Sequence, residues 1–459
     1  MVKMLENRPW SELKVGDKAS ISRLCTQSDI ELFGVVSGDV NPSHYTAGEN
    51  PDQARPVAHS MWVGSLVSAV IGNELPGAGS VLVHQELDYL APVYVGEAVT
   101  VEVEVESKTA PSEVTLVCRI TNNSGTLVQS GKARVKAPLT KQSAARHQFQ
   151  EVTMRTRRHV FLELVGRASI AGPPLSVAVA HPCDEVSLGG AIDAQKKGIL
   201  TPILVGPESK IRAVAKEFNY DLGDLRIIDC EHSHESAARA VALCKSGEAK
   251  ILMKGSLHTD ELMHEVAARE TGLRTNRRIS HVFVFDVPTY PRTLLVTDAA
   301  INIYPTLEDK VDIVQNAIDL GIVLGIVVPK VAILSAVETV YPKITSTLDA
   351  AALCKMADRG QITGGILDGP LAFDNAISAK AAAIKKIVSP VSGLADILLV
   401  PDLEAGNILA KQLSYLAEAD AAGIVLGARV PIILTSRADS VESRLASAAV
   451  ASLLAWSKK

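Results

Sequence analysis

Within the run Phe33-Gly34-Val35-Val36-Ser37-Gly38-Asp39-Val40-Asn41-Pro42-Ser43-His44, a carboxylate and an imidazole stand five positions apart. Gly38, Asn41 and Pro42 resist a regular helix, and Asn-Pro favours a turn, so the segment reads as turn-rich. An Asp and a His on such a turn can grip one water between them and pass protons in both directions. Adding water across an activated double bond requires that. Alone, a Ser-Gly-Asp turn is common and a single His is more often structural than catalytic, so the pair needs a context. Twelve residues after His44, Pro56-Val57-Ala58-His59-Ser60-Met61 opens an apolar, helix-like run to about Ile71.

The elements around the pair are those of an α+β domain over residues 1–138. After the helix-like run come alternating segments at 80–87, 98–105, 114–121 and 127–135, each with the period-two pattern of a half-buried strand. Ala91-Pro92 and Asn123-Ser124-Gly125 separate them as turns. Ordered this way, the two motifs and the strands resemble the signature of the MaoC-like, R-specific enoyl-CoA hydratases, which have the hot-dog fold. That resemblance implies one helix wrapped by a long antiparallel sheet, with a reversal at Pro92-Val93-Tyr94-Val95-Gly96-Glu97. It implies that Asp39 and His44 are catalytic, one removing the water's proton and the other supplying a proton to C2, in an order left open. Asn41, His59 and Ser60 would contact substrate, a backbone N–H near Ser60 polarising the thioester carbonyl. The usual signature has Gly where Ser60 stands and an acid where Thr46 stands.

Composition bounds the rest. A chain of 459 residues exceeds one ordinary core, and two or three domains are expected. A net charge of −5 argues against nucleic acid as a main partner, and 4% aromatics leave little for base stacking. No apolar run reaches the length of a membrane span; the stretch Gly321 to Val328 reads as a buried strand. Six cysteines without a CxxC pair, and no hydrophobic leader, lead to the expectation of a reducing, cytoplasmic setting.

Residues 139–158 are polar and basic and read as a linker into a helix. From Leu175 the texture changes to short β-branched runs alternating with Ala-rich stretches for nearly 300 residues, which predicts α/β with a largely parallel sheet. Ligands of such sheets sit beyond the carboxyl ends of the strands. The segments there are Lys254-Gly255-Ser256-Leu257-His258-Thr259, Thr297-Asp298-Ala299-Ala300-Ile301-Asn302, Leu367-Asp368-Gly369-Pro370 through Asn375, Pro401-Asp402 through Asn407, and Leu434-Thr435-Ser436-Arg437-Ala438-Asp439. In order and spacing they resemble the phosphate acetyl/butyryltransferase family from about Phe161 to the end.

Small residues in these loops let N–H groups approach an anion, and acyl exchange between CoA sulfur and phosphate needs such donors plus positive charge. The resemblance implies Ser436 and Arg437 as catalytic, Arg437 binding phosphate and Ser436 the reacting carbonyl. Lys254, Gly255, Ser256, Asp298, Asp368, Asn375 and Asn407 would bind substrate. The bland reading of Ser436-Arg437 is a cap on the terminal helix beginning near Asp439. Two departures stand out: the acetyltransferase branch has an Asp seven residues after the serine, proposed to help activate the CoA thiol, where this chain has Ser443. That branch's Arg after the His258 loop is also missing from Asp260-Glu261-Leu262-Met263-His264. His181 ends a strand and could face the cleft; Asp184 looks like a helix cap. His232-x-His234 reads as a solvated loop, not a metal pair, because no cluster completes it.

The expected fold is an α+β hot-dog domain at 1–138, a linker at 139–158, and an α/β phosphotransacylase domain at 159–459. The expected chemistry is hydration of a trans-2-enoyl-CoA to the (R)-3-hydroxyacyl-CoA, and acyl transfer between CoA and phosphate without a covalent intermediate. CoA thioesters and phosphate are the expected small-molecule partners, as substrates; no tightly bound cofactor or metal is expected, and no nucleic acid or membrane partner. A symmetric homo-oligomer is expected. Two alternatives stay open: a C-terminal half that only senses acyl-CoA and assembles, and a hot-dog thioesterase.

Overall fold

A computed structural model describes residues 4–45, 55–146, 160–434 and 440–457. Its contacts divide the chain into two compact units, Met1–Arg155 and Thr156–Lys459, each with its own core.

In the first unit the helix Ser60–Asn73 packs on a five-stranded antiparallel sheet. The strand order is Lys18–Leu24, Ala98–Thr109, Glu113–Asn122, Leu127–Lys136, Val81–Tyr89. Val99, Val101, Val103 and Val105 on one strand, and Val114, Leu116, Cys118 and Ile120 on its neighbour, are buried at every second position. The intervening Glu104 and Arg119 pair in solvent. That alternation fixes the register, since a one-residue slip would turn every valine outward. Val63, Val67, Val70 and Ile71 put the helix's apolar face on the sheet. Gly64 lets it close, because a Cβ there would come 3.0 Å from Leu87 Cδ1. This is the hot-dog arrangement.

Two sequence expectations change here. Phe33–Ser37 is the end of a helix, Gln27–Ser37, and the turn-rich character begins only at Gly38. A Thr26/Asp29 capping box starts that helix, a device worth about 1 kcal/mol, and Gly38 ends it with φ of 76°. Of the expected linker, Ser143–Ala145 forms a strand paired with Met4–Glu6. Asn7 ties this pair further, donating to the Thr140 carbonyl and accepting from the Gln142 N–H. Residues 147–159 lie outside the described residues.

The second unit is built on an eleven-stranded sheet. Across it run Arg226–Ile228, Leu200–Val205, Leu175–Ala180, Ile251–Lys254, Ile432–Ile433, Asp420–Leu426, Ser280–Asp286, Leu294–Thr297, Ile397–Leu399, Lys330–Leu334 and Ile366–Leu371. The first five are mutually parallel, as are the last four; the antiparallel pairings lie in the middle. The order creates a switch point. The chain steps outward from Leu175–Ala180 through two strands, then returns to lay Ile251–Lys254 on the other side of the first strand. A crevice opens beyond the carboxyl ends at such a point.

The stretch Gly321–Val328 is not a strand. Its start completes the helix Leu307–Val323, whose Ile313, Val314, Ala317, Ile318 and Gly321 face the core, and Val327 is exposed. Asp368 lies within a strand, Ile366–Leu371, rather than in a loop. Among the described residues no helix is long and apolar enough to cross a membrane.

Candidate active sites

The first site is assembled from the turn after Gly38 and the start of the helix Ser60–Asn73. The Asn41 N–H donates to Asp39 Oδ1 at 3.2 Å, which leaves Oδ2 facing His44. His44 sits in a single 3-10 turn, Pro42–His44, capped by the Asn41 side chain. Its Nδ1 lies 2.7 Å from the Val57 carbonyl, which can only accept, so Nδ1 carries the ring hydrogen. The Nε2 lone pair is then turned to Asp39 Oδ2 at 3.5 Å. Asp39 is half exposed and His44 nearly buried. One face of the pair is open to substrate; the other is held by protein.

His59 supplies that hold. It is buried, with its ring stacked on His44 at a centroid distance of 3.8 Å. Its Nε2 donates to the Asp39 carbonyl at 3.0 Å, and the Tyr45 hydroxyl donates to the same oxygen at 2.9 Å. Gly34 makes room, since a Cβ there would overlap the Tyr45 hydroxyl. Asp39, His44 and His59 offer donor atoms within 4.8 Å of one another, a spacing a metal ion could use. His59 Nε2 is committed to a carbonyl, however, so the set reads as a proton-transfer pair with a supporting ring. Ser60 begins the helix exposed, where first-turn N–H groups lack helical acceptors. Buried Gln129, 69 residues away, fixes that turn by donating to the Ser60 carbonyl at 2.9 Å. Asn41 caps the turn and His59 braces it from behind.

The second site lies at the switch point. The Gly255 N–H donates to Ala180 O at 2.8 Å, and the Ser256 N–H and hydroxyl both donate to His181 O at 2.9 Å. Ser256 Oγ in turn accepts from the Cys183 N–H at 3.2 Å. Gly255 is obligatory, because a Cβ would fall within 2.6 Å of the Ala180 and His181 carbonyl groups. Lys254 ends its strand half-buried, with Nζ donating to Gly255 O at 3.2 Å.

The remaining expected residues have contacts of their own. Asp298 is buried and folds its own loop, accepting from the N–H groups of Ala300, Ile301 and Asn302 and from the Asn302 side chain. Burial pushes its carboxyl pKa up against those donors. Asn407, exposed on the helix Leu403–Leu416, donates to Ala299 O at 3.3 Å and so joins that loop. Asn375 is fully buried; its amide lies 3.4 Å from Glu338 and its Oδ1 has no partner among the described residues. Asp368 accepts from the Gly369 N–H. Ser436 and Arg437 lie outside the described residues. Asp184 caps the helix Glu185–Lys196, and His232 caps the helix Ser233–Ser246 rather than lying in a loop.

Comparison with known proteins decides the family. Over 292 residues, 64% of this chain and 92% of the other, it is 68% identical to a phosphate acetyltransferase of Rhizobium meliloti. The chain belongs to the phosphate acetyl/butyryltransferase family. That family's model matches residues 234–452, and the MaoC like domain model matches residues 11–124, so the two stand fused in one chain. A phosphate butyryltransferase of Clostridium acetobutylicum is 44% identical over 282 residues, 61% of this chain and 94% of that one. Among solved structures, a branched-chain phosphotransacylase from Enterococcus faecalis aligns with a TM-score of 0.53 and 31% identity, covering 61% of this chain and 99% of that one. The transferase match overlies the second unit and the MaoC match the first.

Proposed function

We propose that this chain is a bifunctional acyl-CoA enzyme, a lyase in its first unit and a transferase in its second. The lyase hydrates trans-2-enoyl-CoA to (R)-3-hydroxyacyl-CoA. The observation that carries it is the Asp39 Oδ2 to His44 Nε2 separation of 3.5 Å, with the tautomer fixed by Val57. A water seated on both acceptors presents its oxygen to C3; one group takes its proton and the pair returns a proton to C2. The developing enolate oxygen falls to the N–H groups at the start of the helix Ser60–Asn73, where the helix dipole adds to their effect.

The transferase exchanges a short acyl group between CoA and phosphate. High identity to phosphate acetyl- and butyryltransferases along the second unit supports it. Arg437 binds phosphate and Ser436 holds the reacting carbonyl, with Lys254 adding positive charge near the switch point. No nucleophile stands beside a base among the described residues of these loops, so attack of one substrate on the other is direct. The protein works in the cytoplasm, in keeping with its six free thiols. It assembles as a homo-oligomer, in keeping with the apolar Val81, Val83 and Tyr89 exposed along an edge strand.

The test is product analysis with two substrates. Crotonyl-CoA is expected to give (R)-3-hydroxybutyryl-CoA without loss of the thioester. Butyryl-CoA with phosphate is expected to give an acyl phosphate that hydroxylamine traps as the hydroxamate. Free CoA from crotonyl-CoA in the absence of phosphate identifies a thioesterase instead. Acyl-CoA binding without any acyl phosphate identifies a sensing module.

A further inference from the structure

Transfer from acyl phosphate to CoA needs a group that removes the thiol proton, and the described loops offer few. Asp298 is sealed within its own loop by N–H donors. Ser440 and Ser443, next along the chain from the Ser436 segment, are bonded to each other through hydroxyls that do not ionise. His181 differs. It stands at the switch point, directly after the strand Leu175–Ala180. It is half-buried, and it holds a left-handed backbone with φ of 58°, which non-glycine residues rarely adopt.

That backbone is pinned from both sides. The His181 N–H donates to Val205 O at 2.7 Å, and its carbonyl accepts from Ser256 twice and from the Cys183 N–H. The ring is oriented as firmly. Nδ1 lies 3.1 Å from Ser236 Oγ, whose only hydrogen is given to His232 O at 2.9 Å. In the tautomer this favours, Nδ1–H donates to the serine and Nε2 holds a bare lone pair. Among the described residues the ring's hydrogen bond is the one at Nδ1, and none reaches Nε2.

We propose that His181 is the proton carrier of acyl transfer, its Nε2 taking the proton of the CoA thiol. This rests on the transferase reading above. As sulfur attacks the carbonyl carbon of the acyl phosphate, the C–S bond forms and the acyl C–O bond breaks. Phosphate leaves with the electron pair, and the thiol proton stays on Nε2. In reverse, a phosphate oxygen attacks the thioester, the C–S bond breaks, and Nε2–H protonates the departing sulfur. The surroundings suit a base that is neutral when it acts. Burial and, next, the Lys210 ammonium hold the His181 pKa below its usual value, against weaker pulls from Glu261 and Asp184. The neighbouring Cys183 thiol, pushed up to about 11, stays protonated.

The experiment is His181→Asn in the full chain. Asn tolerates the left-handed backbone and keeps an N–H for Ser236, but has no basic nitrogen. With CoA and butyryl phosphate, kcat is expected to fall roughly 100-fold, with KM for butyryl phosphate within about threefold of wild type. Wild-type kcat is expected to fall as pH drops through the His181 pKa. The variant is expected to lose the plateau above that pKa, its rate rising about tenfold per pH unit with the thiolate fraction. Added imidazole should restore part of the rate, and crotonyl-CoA hydration by the same preparation should be unchanged. A variant that keeps wild-type kcat and its acid limb overturns the proposal. So does a slow variant that keeps the plateau and ignores imidazole, since that marks a structural role. A wild-type enzyme with no phosphate-dependent transfer overturns the transferase reading itself.

Discussion

Two histidines, one in each unit, are held in the same way in different surroundings. His44 gives its Nδ1 hydrogen to a backbone carbonyl, His181 to a serine hydroxyl, and each is left with Nε2 as an acceptor. The difference lies in what faces that nitrogen. Asp39 Oδ2 is 3.5 Å from His44 Nε2, whereas nothing described bonds His181 Nε2. Hydration moves protons twice, off water and onto carbon, so two basic groups share one water. Acyl transfer moves one proton on or off sulfur, so a single base suffices. On the roles proposed for them, the number of groups at each site matches the number of proton transfers in its reaction.

The largest expected effect separates the two reactions on one chain. Asp39→Asn should lower crotonyl-CoA hydration about 1,000-fold by steady-state kinetics and leave phosphate-dependent transfer within error. If hydration survives, the pair is not the site. Gly34→Ala sharpens the same point from behind the site. Its methyl group displaces the Tyr45 hydroxyl and with it the Asp39 carbonyl, so hydration should fall about tenfold with transfer intact. An unchanged rate would show that the turn is not held from that side.

In the second unit, Ser256→Ala removes the bonds that splice the two switch-point loops. Unfolding of this unit should become easier by about 1–3 kcal/mol, and transfer should slow several-fold while hydration does not. Equal losses in both activities would contradict the placement. The smallest effect concerns His281, fully buried with neither ring nitrogen bonded among the described residues and its pKa pushed down to about 3 by burial. The unfolded chain binds a proton near pH 6.5 that the folded chain refuses, so stability is lost as pH falls from there towards 3. The slope is about 1.4 kcal/mol per unit. His281→Phe should remove this slope from thermal melts at pH 7 and pH 5; a slope that persists assigns the acid sensitivity to other groups.

Much of this was legible in the sequence because it is local. The Asp39/His44 spacing, the helix beginning at Ser60, the alternating strands and the strand-helix rhythm all follow from neighbouring residues. What was not legible depends on partners distant in sequence. The Val57 carbonyl fixes the His44 tautomer, and Gln129 reaches back 69 residues to the first turn of the central helix. The enclosure of Asp298 by its own loop and the full burial of Asn375 have no local signal in their motifs. The Gly321–Val328 run illustrates the ambiguity of short apolar stretches, which a buried helix end and a strand share. His181 was visible only as a strand end; its left-handed backbone and its bond to Ser236 required the fold.

The most direct test of the account is one preparation of the wild-type chain assayed for CoA release and for hydration side by side. Acetyl-, propionyl- and butyryl-CoA are each incubated with and without phosphate, and crotonyl-CoA is followed in parallel. The account predicts CoA release only when phosphate is present, together with loss of the crotonyl double bond without CoA release. CoA release that ignores phosphate, or hydration alone beside a second unit that only binds acyl-CoA, would contradict it.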